Sequence, residues 1–305
     1  MVNTNNVLVT GGSGFIGLHV VKQLLESGYS VNTTTRALAS DTALPLKEMA
    51  EQYPGKLHIF EATLLEEGSF AESMRGMDAV FHLATPVMPH SDNVYESQIR
   101  PAIEGTRNVL ETCLLSPSVK TVVLTSSAFT VVSPNPTNNH NYTEDDFTNP
   151  DDSPDMAYVI AKVEAEKYAL DFAQKHRDKI RLVCLNPVFV FGPEIQVLLH
   201  LTITDPIGMI PAVDVRDVAV AHVRALEAES LDGRIIIHSS MVRWSEMAEM
   251  LAKHVPTAKV PTENHITDEP NYTLSNAKSK STLSMEYIPI EKSLHDLIHQ
   301  IAEFQ

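Results

Sequence analysis

"NVLVTGGSGFIG", residues 6 to 17, runs a β-branched strand straight into a turn crowded with glycine and on into an amphipathic helix. Gly12, Gly14 and Gly17 satisfy a Gly-x-Gly-x-x-Gly pattern, and Gly11, Gly14 and Gly17 form a second, evenly spaced one. Missing side chains let such a turn tighten, let backbone amides approach a pyrophosphate and let the helix pack closely on the strand, while the helix N-terminus favours the anion. A glycine run alone says little. Between a first strand and a first helix it has the context that a dinucleotide site requires. The candidate contacts are Gly11, Gly14, Phe15, Ile16 and Gly17.

The alternation continues downstream. "SVNTTTR" (30–36), "KLHIFEA" (56–62), "AVFHLA" (79–84), "KTVVLTSS" (120–127), "IRLVCLNP" (180–187) and "GRIIIHS" (233–239) read as short strands, separated by helical patterns near 14–27, 41–53, 94–115, 156–176 and 215–229. Strands apolar on both faces and separated by helices belong to a parallel sheet covered on both sides. The expected fold class is therefore α/β, a Rossmann-type doubly wound parallel sheet. After Pro187 the pattern becomes irregular, with further helices near 244–254 and 290–304. The expected division is a dinucleotide-binding domain over 1–186, to which 213–238 return, and a smaller C-terminal substrate-binding region made by 187–212 and 239–305. Ligands of open α/β folds bind at the carboxyl edge of the sheet. Residues 133–155, rich in Pro, Asn and Asp and free of Lys and Arg, read as a long acidic loop, either a lid or a solvated connection. It leads to the helix near 156–176, for which Ser153 or Asp155 is the expected N-cap.

The second strand ends in "NTTTRA". A carboxylate there would grip a ribose 2′-hydroxyl and favour NAD; Arg36 stands there instead, with no acid before Asp41. A guanidinium can hold a 2′-phosphate through charge-assisted hydrogen bonds, which points to NADP(H).

Composition narrows the class further. A chain of 305 residues with 43% hydrophobic residues can bury a full core. Its formal charge of −16 repels phosphate backbones and anionic membranes, so neither nucleic acid nor a membrane is an expected partner. The opening "MVNTNNVLVTGG" has no basic, apolar leader, and no span reaches the roughly 18 apolar residues of a membrane helix, so a cytoplasmic location is expected. Cys113 and Cys184 lie in apolar contexts as expected buried thiols, and no metal is assigned.

"DMAYVIAKVEAEKY" (155–168) places Tyr158 and Lys162 four apart, on one face of a helix. Together with "VTGGSGFIG" (9–17), "GSFAESMRGMDAVFHLATP" (68–86), "EGTRNVLETC" (104–113), "VVLTSSA" (122–128), "NPVFVFGP" (186–193) and "VDVRDVAVAHVRALE" (213–227), it makes the chain resemble the extended short-chain dehydrogenase/reductase family. Within that family it is similar to the branch of dihydroflavonol, cinnamoyl-CoA and yeast-type aldehyde or methylglyoxal reductases. The likeness implies a catalytic Ser127, Tyr158 and Lys162. Ser127 would hydrogen-bond the substrate oxygen while Tyr158 donates a proton to it. Lys162 would favour the phenolate of a group whose ordinary pKa is about 10 and would reach the nicotinamide ribose.

The resemblance also implies that Ala84 and Thr85 pass beside the cofactor, that Pro187 and Val188 lie along the nicotinamide, and that Leu64 meets the adenine. Thr63 replaces the aspartate usual before that leucine, and Glu104 replaces the asparagine of an Asn-Gly-Thr segment. Pro86, Phe129 and Val132 are the candidate substrate contacts; Val132 stands where plant dihydroflavonol reductases commonly carry an asparagine that reads ring hydroxyls. The segment between Pro193 and Val213 is shorter than the family's usual one, which suggests an apolar, more open pocket. The expected activity is NADPH-dependent reduction of a small or aryl aldehyde or ketone. The alternatives are a sugar-nucleotide epimerase or dehydratase of the same family and a non-catalytic dinucleotide sensor. Both a monomer and a homodimer fit, the latter through the helices near 94–116 and 156–176.

Overall fold

The computed structural model describes residues 5–86, 93–151, 153–195, 209–254 and 271–303. The strands are β1 (Asn6–Thr10), β2 (Ser30–Thr35), β3 (Leu57–Glu61), β4 (Ala79–His82), β5 (Thr121–Thr125), β6 (His140–Tyr142), β7 (Arg181–Pro187), β8 (Phe189–Phe191), β9 (Met209–Asp214), β10 (Gly233–Ile237), β11 (Ser240–Arg243) and β12 (Tyr272–Leu274). The α-helices are α1 (Phe15–Glu26), α2 (Leu44–Gln52), α3 (Ala71–Met74), α4 (Arg100–Leu115), α5 (Ala157–Lys175), α6 (Val215–Glu227), α7 (Trp244–His254), α8 (Ala277–Thr282) and α9 (Ile290–Glu303). Seven strands form one parallel sheet in the order β10-β7-β5-β4-β1-β2-β3. The chain is thus doubly wound, as the alternation predicts.

Period-two side-chain direction explains why the strands read as unbroken apolar runs. In β1, Val7 and Val9 join a core cluster with α1, α2 and α6, whereas Leu8 joins the opposite cluster with α3, α4 and α5. The other central strands divide likewise: Val123 and Leu185 face one way, Val122 and Cys184 the other. Each fully buried Val or Leu contributes about 1.5–3 kcal/mol. Cys113 and Cys184 are buried free thiols in this core, and burial pushes both thiol pKa values up.

Four features depart from the sequence reading or lie beyond it. The helix expected from residue 94 opens with a π turn at Tyr95–Ile99 before α4, because Pro101 has no N–H for a regular helical bond and its ring crowds the preceding turn. Neither Ser153 nor Asp155 caps α5: a 3-10 turn at Pro154–Met156 intervenes, and Met156 at the cap makes no side-chain bond. The acidic segment is tied down rather than hung as a free lid, since β6 pairs with β12, Thr148 N–H donates to Thr130 O and Arg234 binds the carbonyls of Glu144 and Asp146. The irregular stretch after Pro187 contains β8 and β9; β9 pairs with β8 on one side and with β11 on the other, in a small three-stranded sheet. Much of the short segment between Pro193 and Val213 lies outside the described residues, as do 255–270 of the C-terminal region.

On α6 a buried histidine braces the sheet. Val218 O can only accept, so His222 Nδ1–H donates to it at 2.7 Å and Nε2 accepts from the Thr125 hydroxyl at 2.7 Å. Burial lowers its pKa to about 4. The folded chain therefore binds fewer protons than the unfolded chain below an imidazole's ordinary value, and the stability this neutral ring carries is lost as pH falls from about 6.5 toward 4. Thermal unfolding should show a loss of about 2 kcal/mol from this site between pH 7 and pH 5. His222→Gln should remove that part of the slope, and an unchanged slope would refute the assignment.

Candidate active site

Parallel pairing brings the carboxyl ends of β1, β4, β5 and β7 to one edge: Thr10 lies opposite His82, His82 opposite Leu124, and Thr125 opposite Leu185. The strand order turns outward on either side of β1 and β4, which is where a crevice opens in such sheets.

The glycine turn fills the crevice floor. Gly11 has φ +72°, and a Cβ there would stand 2.9 Å from the Ala84 backbone. A Cβ on Gly12 would meet Thr33 Oγ1 at 1.9 Å, and one on Gly17 would meet Gly11 O at 2.3 Å. Gly14 differs: its φ of −81° and ψ of 168° suit any residue, and a Cβ would approach only Gly11 O, at 3.4 Å. The protein itself needs three of these glycines, and the fourth leaves the mouth of α1 bare. No side chain among the described residues caps α1, and its first turn holds no acid. The opening amides of a helix, here those of Phe15 and Ile16 among them, have no acceptor within it. The residues thus fit a dinucleotide's pyrophosphate. Gly17→Ala should cost about 1–3 kcal/mol in denaturant unfolding, and Gly14→Ala less than about 1 kcal/mol; equal losses would contradict this division.

Arg36 follows β2, is exposed, and has no ion pair among the described residues. Thr63 is exposed and its carbonyl accepts from Ser69 Oγ at 2.7 Å. Leu64 packs against α4, where a Cβ on Gly105 would sit 2.6 Å from its Cδ2.

At the end of β4 a hydrogen-bond chain sets the position of Ala84. Ala84 N–H donates to Thr10 Oγ1 at 3.2 Å, and the Thr10 hydroxyl donates to His82 Nδ1 at 2.8 Å. Thr106 gives its proton to Ala102 O, so His82 Nε2–H points to Thr106 Oγ1, 3.4 Å away. Burial and then the Lys162 charge push His82 down to about 3, so the ring is neutral. Thr85 and Pro86 follow, half-buried.

Across the crevice, Ser127 caps the short turn Ala128–Thr130, and its Oγ accepts from Phe129 N–H at 3.2 Å. A hydroxyl that accepts in this way still has its own proton to donate. Phe129 stands edge-on to the Tyr158 ring at 6.2 Å and to Phe189 at 5.9 Å. Lys162 is 8% exposed, its Nζ donates to Thr125 O at 3.1 Å and lies 6.0 Å from the Tyr158 ring centre. No carboxylate pairs with it among the described residues. Pro187 ends β7 opposite Ile237, and Val188 N–H donates to Ile237 O at 3.3 Å. Val132 is 4% exposed and belongs to the core. Phe189 and Glu166 were not among the sequence candidates. Glu166 had a signal, standing four residues beyond Lys162 on α5; Phe189 had none, since its neighbours became known only with the fold. On α9, His295 and His299 approach to 4.1 Å, but no group of three ligating side chains that could hold a metal occurs among the described residues.

This architecture has known counterparts. The family model described as the NAD dependent epimerase/dehydratase family matches residues 7–204. The chain belongs to that family, the extended short-chain dehydrogenases/reductases. Among its relatives, a cinnamoyl-CoA reductase of Medicago truncatula is 33% identical, with 98% of this chain and 96% of that protein aligned. An anthocyanidin reductase of Arabidopsis thaliana is also 33% identical, over 97% of this chain and 93% of that protein. The structure of Gre2 from Candida albicans in complex with NADPH superposes with a TM-score of 0.85 at 29% identity, over 98% of this chain and 99% of that one.

Proposed function

We propose that this chain is an NADP(H)-dependent carbonyl reductase that converts a small or aryl aldehyde or ketone into its alcohol. The observation that carries the reading is the buried Lys162 ammonium, held on Thr125 O beside the Ser127 turn and under the Tyr158 ring without a neutralising carboxylate among the described residues. NADPH, when bound along the glycine turn, supplies the hydride.

The chain's own groups handle the substrate oxygen. As negative charge grows there, the Ser127 hydroxyl donates a hydrogen bond to it and the Tyr158 phenol gives it a proton, which completes the alcohol. The Lys162 charge favours the phenolate left behind. Its remaining ammonium donors suit the ribose hydroxyls of a nicotinamide nucleotide. Phe129 and Phe189 make the neighbouring wall apolar and aromatic. Exposed Arg36 after β2 suits a 2′-phosphate and weighs against the epimerase reading, which wants an acid there.

The test is NADPH consumption with a panel of aldehydes and ketones. Tyr158→Phe should lower kcat about a hundredfold or more. Arg36→Ala should raise the KM for NADPH by roughly tenfold and leave that for NADH unchanged. NADPH binding without turnover of any carbonyl would favour a sensor, copurifying NAD an epimerase, and full activity of Tyr158→Phe would remove the proposed proton donor.

A further inference from the structure

Behind Ser127 lies a buried ion pair. Tyr158, Lys162 and Glu166 recur every four residues, so the three side chains leave α5 along one face. Glu166 is fully buried and Arg234 is 7% exposed. One Glu166 oxygen accepts from Arg234 Nε at 2.5 Å; the other accepts from Ser126 Oγ, from Thr130 Oγ1 at 2.6 Å and from Asn186 Nδ2 at 2.9 Å. Arg234 Nη2 donates to Thr130 O at 3.0 Å and to Thr130 Oγ1 at 2.9 Å. Its Nη1 donates to Glu144 O at 2.9 Å and to Asp146 O at 2.5 Å, and its guanidinium lies 4.2 Å from the centre of the Phe147 ring.

Two anchors on one helix therefore flank the serine. Lys162 holds Thr125, the residue two before Ser127, and Glu166 holds Ser126 and Thr130 on either side of it. Buried ion pairs often add little stability over an apolar replacement of equal volume. What this pair supplies is direction, because its bonds aim at three separate segments at once. We propose that Glu166 and Arg234 form a positioning unit that sets the Ser127 hydroxyl relative to the Tyr158 phenol and couples that setting to residues 144–148. The kinetic part rests on the reductase reading above; the coupling part rests on packing alone.

The test compares Glu166→Gln, Thr130→Val and Thr130→Ser in the whole protein, with steady-state kinetics and hydrogen exchange. Thr130→Val removes the hydroxyl that meets Glu166, Ser127 O, Asn186 and Arg234 and leaves the Glu166–Arg234 contact in place, so the Thr130 variants decide if Glu166→Gln does not fold. Thr130→Val and Glu166→Gln should lower kcat roughly ten- to a hundredfold with the KM for NADPH within about twofold, and Thr130→Ser should recover most of the rate. Amide exchange should rise together in 127–132 and 144–148. Unchanged kcat, a parallel loss in kcat and NADPH KM that serine does not rescue, or exchange rising in the turn alone would overturn the proposal. If the unsubstituted protein reduces no carbonyl, the reductase reading fails by itself, and the exchange data still decide the coupling.

Discussion

Parallel hydrogen bonding between β1, β4, β5 and β7 is the constraint on which the rest hangs. Because the strands run the same way and are paired in register, the glycine turn, Ala84, the Ser127 turn and Val188 emerge side by side, although they are far apart in the chain. Antiparallel pairing would send alternate loops to the opposite edge. Burial on both faces enforces the arrangement, since slipping one strand by a residue would exchange the side chains of its two core clusters.

At that edge charges are handled in two ways. Lys162 keeps its ammonium in a buried place, held by a carbonyl dipole and without a carboxylate partner among the described residues. Glu166 and Arg234, a short distance along the same network, are compensated by each other and by hydroxyl, amide and carbonyl partners. A charge without a counter-ion is available to a reacting group, whereas a fully bonded pair is rigid. The neutral rings of His82 and His222 add fixed hydrogen bonds at Thr10 and Thr125 without adding charge to the crevice.

Much of this is legible in the sequence. The glycine turn announced itself through position, between an apolar strand and an amphipathic helix, and the alternation of strands with helices announced the sheet. Tyr158 and Lys162 could be placed on one helical face by spacing, and the same spacing reaches Glu166. Less legible were elements whose partners are distant: β6 exists because β12, more than a hundred residues later, pairs with it, and β9 gains its edges from β8 and β11. The π turn before α4 carried a local sign in Pro101, but its cause is backbone geometry that apolar periodicity does not report.

The sequence by itself determined the fold class, the location of the glycine turn and the shared face of α5, because these follow from local periodicity and from residue types with few conformational options. Tertiary structure decided which glycine is bare without a packing reason, which hydroxyl keeps a proton to donate, and that Arg234 joins the acidic segment to the Ser127 turn. Those properties depend on which atoms meet across the sheet, and strands that meet there are brought together by pairing and burial rather than by nearness in sequence.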